Sequence, residues 1–196
     1  VPAEPISDIS IGIALTGDDV LVHTMSYVSP PTWFRYDARQ DKLVPTQLTS
    51  KPSFNFADAT VLRDVAISKD GTKVPINILY RKGMNRNGRN PVLLYAYGGY
   101  GISMQPWFNP MNRLWLDYGC VYALAGIRGG GEYGEAWHVA GMLSRKQNVF
   151  DDFAAAMQYL VERKVTTPAR LAIMGGSNGG LTMGAAFTQH PESMRA

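Results

Sequence analysis

One stretch constrains this chain more than any other: Arg170-Leu171-Ala172-Ile173-Met174-Gly175-Gly176-Ser177-Asn178-Gly179-Gly180-Leu181. A short apolar run enters Gly-x-Ser-x-Gly, and a segment of small and apolar residues leaves it. Leu171 to Met174 reads as a buried strand. Gly180 to Gln189, with Leu181, Met183, Ala185, Ala186 and Phe187, reads as a closely packed helix ended by Pro191. Strand must become helix within a few residues. That forces the serine into a strained backbone conformation and leaves no room for side chains two residues to either side. A serine hydroxyl held clear of a sheet in this way is placed to act as a nucleophile. A glycine-rich loop with an incidental serine also satisfies the five residues; the flanking segments argue against it.

This turn is the nucleophile elbow of α/β-hydrolases, and the fold class expected is α/β. The elbow brings demands. A serine hydroxyl is a poor nucleophile until a histidine takes its proton, and an acid must orient that histidine. In such folds the chain order is serine, acid, histidine. Only 19 residues follow Ser177, and His190 precedes Glu192 among them. His190 falls at the far end of the helix that Ser177 begins, roughly 20 Å from the hydroxyl at about 1.5 Å of rise per residue. It is excluded as the base. His23, in a strand-rich stretch, and His138, in a loop, read as structural or surface histidines. The expectation is a truncated hydrolase domain, inactive alone, that stops before its acid and base. The opening at Val1 and the ending at Arg195-Ala196 agree with a piece of a longer protein.

Charge narrows the partners. Lys and Arg number 19 against 16 Asp and Glu, with no basic run, which disfavours nucleic acid and anionic membrane. No apolar run is long enough to span a bilayer. The compartment, cytoplasmic or periplasmic, is left open by the start at Val1. The single cysteine, Cys120, lies in an apolar stretch and is expected as a buried thiol, with no disulfide framework.

The chain changes character near residue 58. Before it, Ile9 to Leu15, Val20 to Ser26, Thr32 to Tyr36 and Leu43 to Leu48 read as short antiparallel strands, the last two split by the polar turn Asp37 to Lys42. Strands at this spacing suit a propeller blade or a piece of a sandwich. Val61 to Ser68 and Lys73 to Tyr80 flank Asp70-Gly71, a strong hairpin signal. Apolar strands at Pro91 to Ala96 and Cys120 to Ala125 then alternate with helices at Asn109 to Asp117 and Val149 to Arg163. That alternation implies a parallel sheet covered on both faces.

Two glycine loops remain. Tyr97-Gly98-Gly99-Tyr100-Gly101 follows the strand ending at Ala96. In α/β-hydrolases this loop supplies one oxyanion donor, and the N–H after the nucleophile, here that of Asn178, supplies the other. Tyr97 offers a hydroxyl donor and Tyr100 an aromatic wall; a plain turn with packed tyrosines is the alternative. Gly129-Gly130-Gly131-Glu132-Tyr133-Gly134 matches a dinucleotide fingerprint. The match is rejected because Glu132 would face a pyrophosphate, no helix is expected directly after the loop, and Asp151 opens a helix instead of ending a strand. Arg128 and Glu132 are expected as an ion pair near the active-site loops. No cofactor and no metal is expected.

Five blocks, in order and spacing, resemble the prolyl oligopeptidases, serine peptidase family S9. They are Ser68 to Pro75, Leu94 to Gly101, Ile127 to His138, Lys146 to Phe153 and Gly175 to Gly180. The resemblance implies a peptidase domain capped by a β-propeller that admits only short peptides. Residues 1–58 would close the propeller, and 59–196 would begin the α/β-hydrolase domain. It further implies Ser177 as nucleophile, Tyr97 and the Asn178 N–H as oxyanion hole, and Asn178 and Tyr100 as substrate-binding residues. Tyr100 stands where the family usually has a phenylalanine in its proline pocket, which puts strict proline preference in question. Asn178 favours the prolyl branch over the oligopeptidase B branch, which typically has alanine there. The implied partner is a short peptide, and the parent is expected to be monomeric. An esterase or aminoacyl-peptide hydrolase, or a non-catalytic remnant, stays open beside the endopeptidase.

Overall fold

The computed structural model describes residues 6–196, so the first five residues of the expected propeller segment lie outside the described residues. The chain forms two compact units. One comprises the chain up to Val61 together with Gln105–Arg113. The other comprises Leu62–Met104 and Leu114–Ala196.

In the first unit, β1 (Ser7–Ala14), β2 (Val20–Ser26), β3 (Thr32–Asp37) and β4 (Lys42–Thr49) form a four-stranded antiparallel sheet in sequence order. Local side chains fix its turns. Asp37 Oδ1 accepts the N–H groups of Arg39 and Gln40, each at 3.0 Å, so the aspartate mimics a backbone turn before β4. Asp19 accepts Arg35 Nε at 2.9 Å and the Ala38 N–H at 3.1 Å, tying the β1–β2 turn to the end of β3. His23 lies in β2 with its ring 4.8 Å from that of Trp33, a packing role as the sequence suggests. Phe54, Phe56 and Phe108 cluster with ring centroids 5.5 to 6.4 Å apart.

The second unit carries the alternating pattern. Its sheet contains β5 (Ala59–Ile67), β6 (Lys73–Arg81), β7 (Val92–Ala96), β8 (Val121–Ala125) and β9 (Leu171–Met174), in the order β5-β6-β8-β7-β9. β6 runs antiparallel to β8, while β8, β7 and β9 are mutually parallel. The hairpin turn between β5 and β6 closes as read, with the Ser68 N–H donating to Thr72 O at 2.8 Å. Helix α1 (Met111–Asp117) has its first turn in the other unit and Leu114–Asp117 in this one. The helices α2 (Glu135–Val139), α3 (Gln147–Glu162) and α4 (Asn178–Gln189) lie wholly in this unit. The apolar stripe of α3 supplies Val149, Phe153, Met157 and Leu160, all fully buried against Ile76, Ile78, Leu94, Val121, Ala123, Ile127 and Leu171. Each large side chain so buried contributes about 1.5–3 kcal/mol. No helix among the described residues is long and apolar enough to cross a membrane.

Several expectations need correction. α1 starts at Met111, because Asn109 Oδ1 accepts the Met111 N–H at 3.0 Å and ends the extended chain there. α4 starts two residues early, at Asn178, directly on the serine. Only Leu171 of β9 is fully buried, and Met174 is 44% exposed. Among the described residues, the Arg195 N–H donates to Leu171 O and the Ile173 N–H to Ala196 O, each at 2.8 Å, along the side of β9 away from β7. Cys120 precedes β8 instead of lying within it and is only partly buried, though that burial still raises its thiol pKa. His138 sits in α2 and not in a loop.

Candidate active site

β7 and β9 are parallel neighbours, with Val92 opposite Leu171 and Tyr95 opposite Met174. Their C-terminal ends therefore deliver two loops to one place: Tyr97–Gly101 from β7 and Gly175–Ser177 from β9. The second loop is compressed between strand and helix. Ser177 has φ 52° and ψ −119°, a conformation costly for any residue with a side chain. A Cβ on Gly179 would stand 2.7 Å from Ala96 O, and one on Gly175 would stand 2.7 Å from Gly179 O. Only glycine fits at either position, which is the steric reason for the Gly-x-Ser-x-Gly pattern. Ser177 itself is exposed and stands directly before α4, whose first residue is Asn178, without a side-chain capping bond.

Asn178 joins the two loops. Its Nδ2 donates to Tyr97 O at 2.8 Å and to Gly98 O at 3.0 Å. Its Oδ1 accepts from Lys146 Nζ at 3.3 Å, and the same ammonium donates to Gly98 O at 2.9 Å. The residue after the serine is thus bound to the backbone of Tyr97. Tyr97 is half-buried in this arrangement. Tyr100, in contrast, is 77% exposed and holds a positive φ of 55°. Of the four site residues read from the sequence, the structure groups Ser177, Asn178 and Tyr97 and leaves the Tyr100 ring turned to solvent.

The second glycine loop packs under the first. The Gly101 N–H donates to Gly129 O at 3.0 Å, and a Cβ on Gly129 would stand 2.6 Å from Gly98 O. These glycines make room for a neighbouring loop. Contrary to the sequence reading, a helix does follow the fingerprint directly: α2 begins at Glu135, after Gly134 at φ 77°. The glycines of this loop serve loop packing, with the Gly98 and Gly101 carbonyls set 2.6 and 2.3 Å from where a Cβ on Gly129 and Gly131 would stand.

The expected Arg128–Glu132 pair is also corrected. Arg128 binds Asp152 through Nε at 2.9 Å and a terminal nitrogen at 2.6 Å, and reaches Asp70 at 2.6 Å. Asp152 is fully buried and further accepts Ser68 Oγ at 2.6 Å and the Arg128 N–H at 2.9 Å. Burial alone would favour loss of the Arg128 proton, but the hydrogen bonds to Asp152 and Asp70 outweigh it and raise its pKa. The Arg128 guanidinium, with Thr72, holds the Asp70 carboxyl at about 2. Glu132 turns the other way, accepting the Met104 N–H at 2.9 Å, and its Oε2 is buried with no partner among the described residues. Burial raises its pKa. Sequence reasoning missed this network because Arg128 is 24 residues from Asp152 and 58 from Asp70, beyond any local periodicity.

His138 pairs with Glu135 at 3.3 Å, and His190 lies 3.8 Å from Glu192. Neither histidine is a partner of Ser177. Among the described residues, no group of His, Cys, Asp and Glu has the makeup of a metal site.

A parallel sheet that hands a strained serine from strand to helix, beside a glycine loop from the adjacent strand, defines an α/β-hydrolase domain. A sequence profile of the prolyl oligopeptidase family matches residues 106–196. The prolyl endopeptidase of Elizabethkingia meningoseptica is 41% identical over 179 residues, 90% of this chain and 25% of that one. The chain belongs to the prolyl oligopeptidase family. Solved structures agree. One from a study of two prolyl endopeptidases and their inter-domain dynamics is 44% identical, with TM-score 0.92, covering 99% of this chain and 28% of its own. Oligopeptidase B from Leishmania major is 34% identical, with TM-score 0.87, over 99% of this chain and 28% of its own. The chain therefore spans about a quarter of the length of the relatives that it matches.

Proposed function

We propose that this chain carries the nucleophile and oxyanion half of a serine endopeptidase that cleaves short peptides after proline. The observation that carries the reading is the positive φ of Ser177 at the strand–helix turn, with Asn178 bound to the backbone of Tyr97. In this proposal Ser177 Oγ attacks the peptide carbonyl carbon and gives its proton to a histidine outside residues 1–196. The C–N bond breaks, the leaving amine takes that proton, and water then hydrolyses the acyl-enzyme to free the carboxylate product and restore Ser177. The oxygen that becomes negative accepts from the Asn178 N–H and the Tyr97 hydroxyl. Residues 1–58 are proposed as closing strands of a β-propeller and 59–196 as the first part of the hydrolase domain. Residues 1–196 alone are proposed to be inactive, since Ser177 has no base among the described residues. Proline preference draws support from the prolyl endopeptidases among the relatives and from Asn178 after the serine. A second reading, an esterase or aminoacyl-peptide hydrolase on the same scaffold, draws on Tyr100, whose hydroxyl adds a polar group to what would be an apolar wall for proline.

The test treats the complete protein with a fluorophosphonate and assays chromogenic peptides ending in proline, alanine or arginine. Phosphonylation of the Ser177 peptide, with the proline substrate cleaved fastest by kcat/KM, is the expected result. Labelling elsewhere removes Ser177 as nucleophile, and preference for a simple ester or a blocked amino acid favours the second reading. For Tyr97→Phe, kcat is expected to fall about ten- to a thousandfold with KM nearly unchanged, because the hydroxyl acts only as charge develops. A kcat within about twofold of the parent's would reduce Tyr97 to a packed aromatic.

A further inference from the structure

Lys146 stands at a junction. It joins a 3-10 turn at Leu143–Arg145 to the start of α3, with helical backbone angles of its own. It makes no side-chain capping bond there. Its ammonium instead reaches away from the helix, to Gly98 O at 2.9 Å and Asn178 Oδ1 at 3.3 Å. Both acceptors are neutral oxygens. Partial burial without a carboxylate in that pair of contacts lowers the pKa of the amine. What singles this lysine out is where its ammonium goes: into two oxygens of the loops beside Ser177.

The geometry explains what the contacts accomplish. An amide side chain can be turned end for end with little change in shape. Lys146 offers only donors, so it accepts only the orientation that points Oδ1 of Asn178 toward it. Nδ2 then faces Tyr97 O and Gly98 O, where both of its hydrogens are used. Gly99 has no room for a side chain because the Asn178 amide fills that space. Three separate segments meet at this ammonium: the start of α3, the loop after β7 and the first residue of α4. We propose that Lys146 is a positioning residue that locks the Asn178 amide and, through it, the Tyr97 loop against the backbone N–H that follows Ser177. The inference rests on the reading of Ser177 and Tyr97 given above. It adds a residue that never touches substrate yet sets the spacing of the two oxyanion donors.

Misplacement of a catalytic group by about 1 Å costs up to about a hundredfold. In the complete protein, Lys146→Met is therefore expected to lower kcat about ten- to a hundredfold, with KM within about twofold and little change in thermal midpoint. Lys146→Arg, which keeps donors and charge, should recover at least about a third of the parent's kcat. A double-mutant cycle with Asn178→Ala separates positioning from general damage. If Lys146 acts through the amide, Lys146→Met costs less than about threefold once that amide is gone. Equal losses in both backgrounds, or a kcat for Lys146→Met within about twofold of the parent's, would overturn the proposal. Should Lys146→Met fail to fold, Lys146→Gln is measured in the same cycle and judged by the same outcomes. Ser177→Ala, run alongside, keeps the two ideas apart. If it retains turnover, the nucleophile assignment fails; if it is dead while Lys146→Met is normal, only the positioning role fails.

Discussion

Turnover of a proline-containing chromogenic peptide by the complete protein is expected to fall by about four to six orders of magnitude on Ser177→Ala. The magnitude follows from serine hydrolases in which loss of the nucleophile removes the acyl-enzyme route and leaves only binding and oxyanion stabilisation. KM should change little, since the hydroxyl adds almost nothing to ground-state binding. The substitution removes one oxygen from an exposed side chain, so folding should be unaffected. The measurement is kcat on protein verified free of parent enzyme, because a contaminant at one part in ten thousand (on the order of the expected residual) would mask the effect. A kcat within about tenfold of the parent's would show that another group carries the reaction.

The second large effect is structural. Asp152→Ala is expected to destabilise the hydrolase unit by about 3–5 kcal/mol, the usual result of removing one partner from a buried ion pair. Four donors lose their acceptor at once: Ser68 Oγ, the Arg128 N–H and two guanidinium nitrogens. Arg128 keeps Asp70, whose side chain is 49% exposed and so compensates little. The check is the midpoint of urea unfolding for the transition that includes this unit. Asp152→Leu with Arg128→Met should recover part of the loss, but not all, because the backbone N–H of residue 128 stays unpaired. An unchanged midpoint for Asp152→Ala would mean that water or Asp70 replaces the carboxylate without cost.

Legibility in the sequence followed the range of each interaction. The β5–β6 hairpin was readable because Asp70-Gly71 encodes its turn within two residues. The buried face of α3 was readable because Val149, Phe153, Met157 and Leu160 repeat at helical spacing. The serine turn was readable because its steric limits act on Gly175 and Gly179, two residues to each side. What failed was long-range or depended on neighbours. Glu132 looked like the partner of Arg128 because it is four residues away, but the carboxylates that bind it come from the β5–β6 turn and from α3. Helix α2, only five residues long, has too little sequence for a periodic pattern. Lys146 left no local trace, since its acceptors, Gly98 O and Asn178 Oδ1, lie 48 and 32 residues away.

The parallel pairing of β7 with β9 has a consequence for how the protein comes to be active at all. Val92 and Leu171 lie opposite each other with a long stretch of chain between them, and closing that loop costs entropy before any contact rewards it. The conformation of Ser177 is unfavourable on its own; what holds it is the fit of Gly179 against Ala96 at the end of β7. A growing chain that has already made the serine therefore has no reason to hold it in this conformation until β9 has docked. The strained conformation of Ser177 is a product of tertiary assembly, and a partly folded chain carries the same residue in a relaxed form.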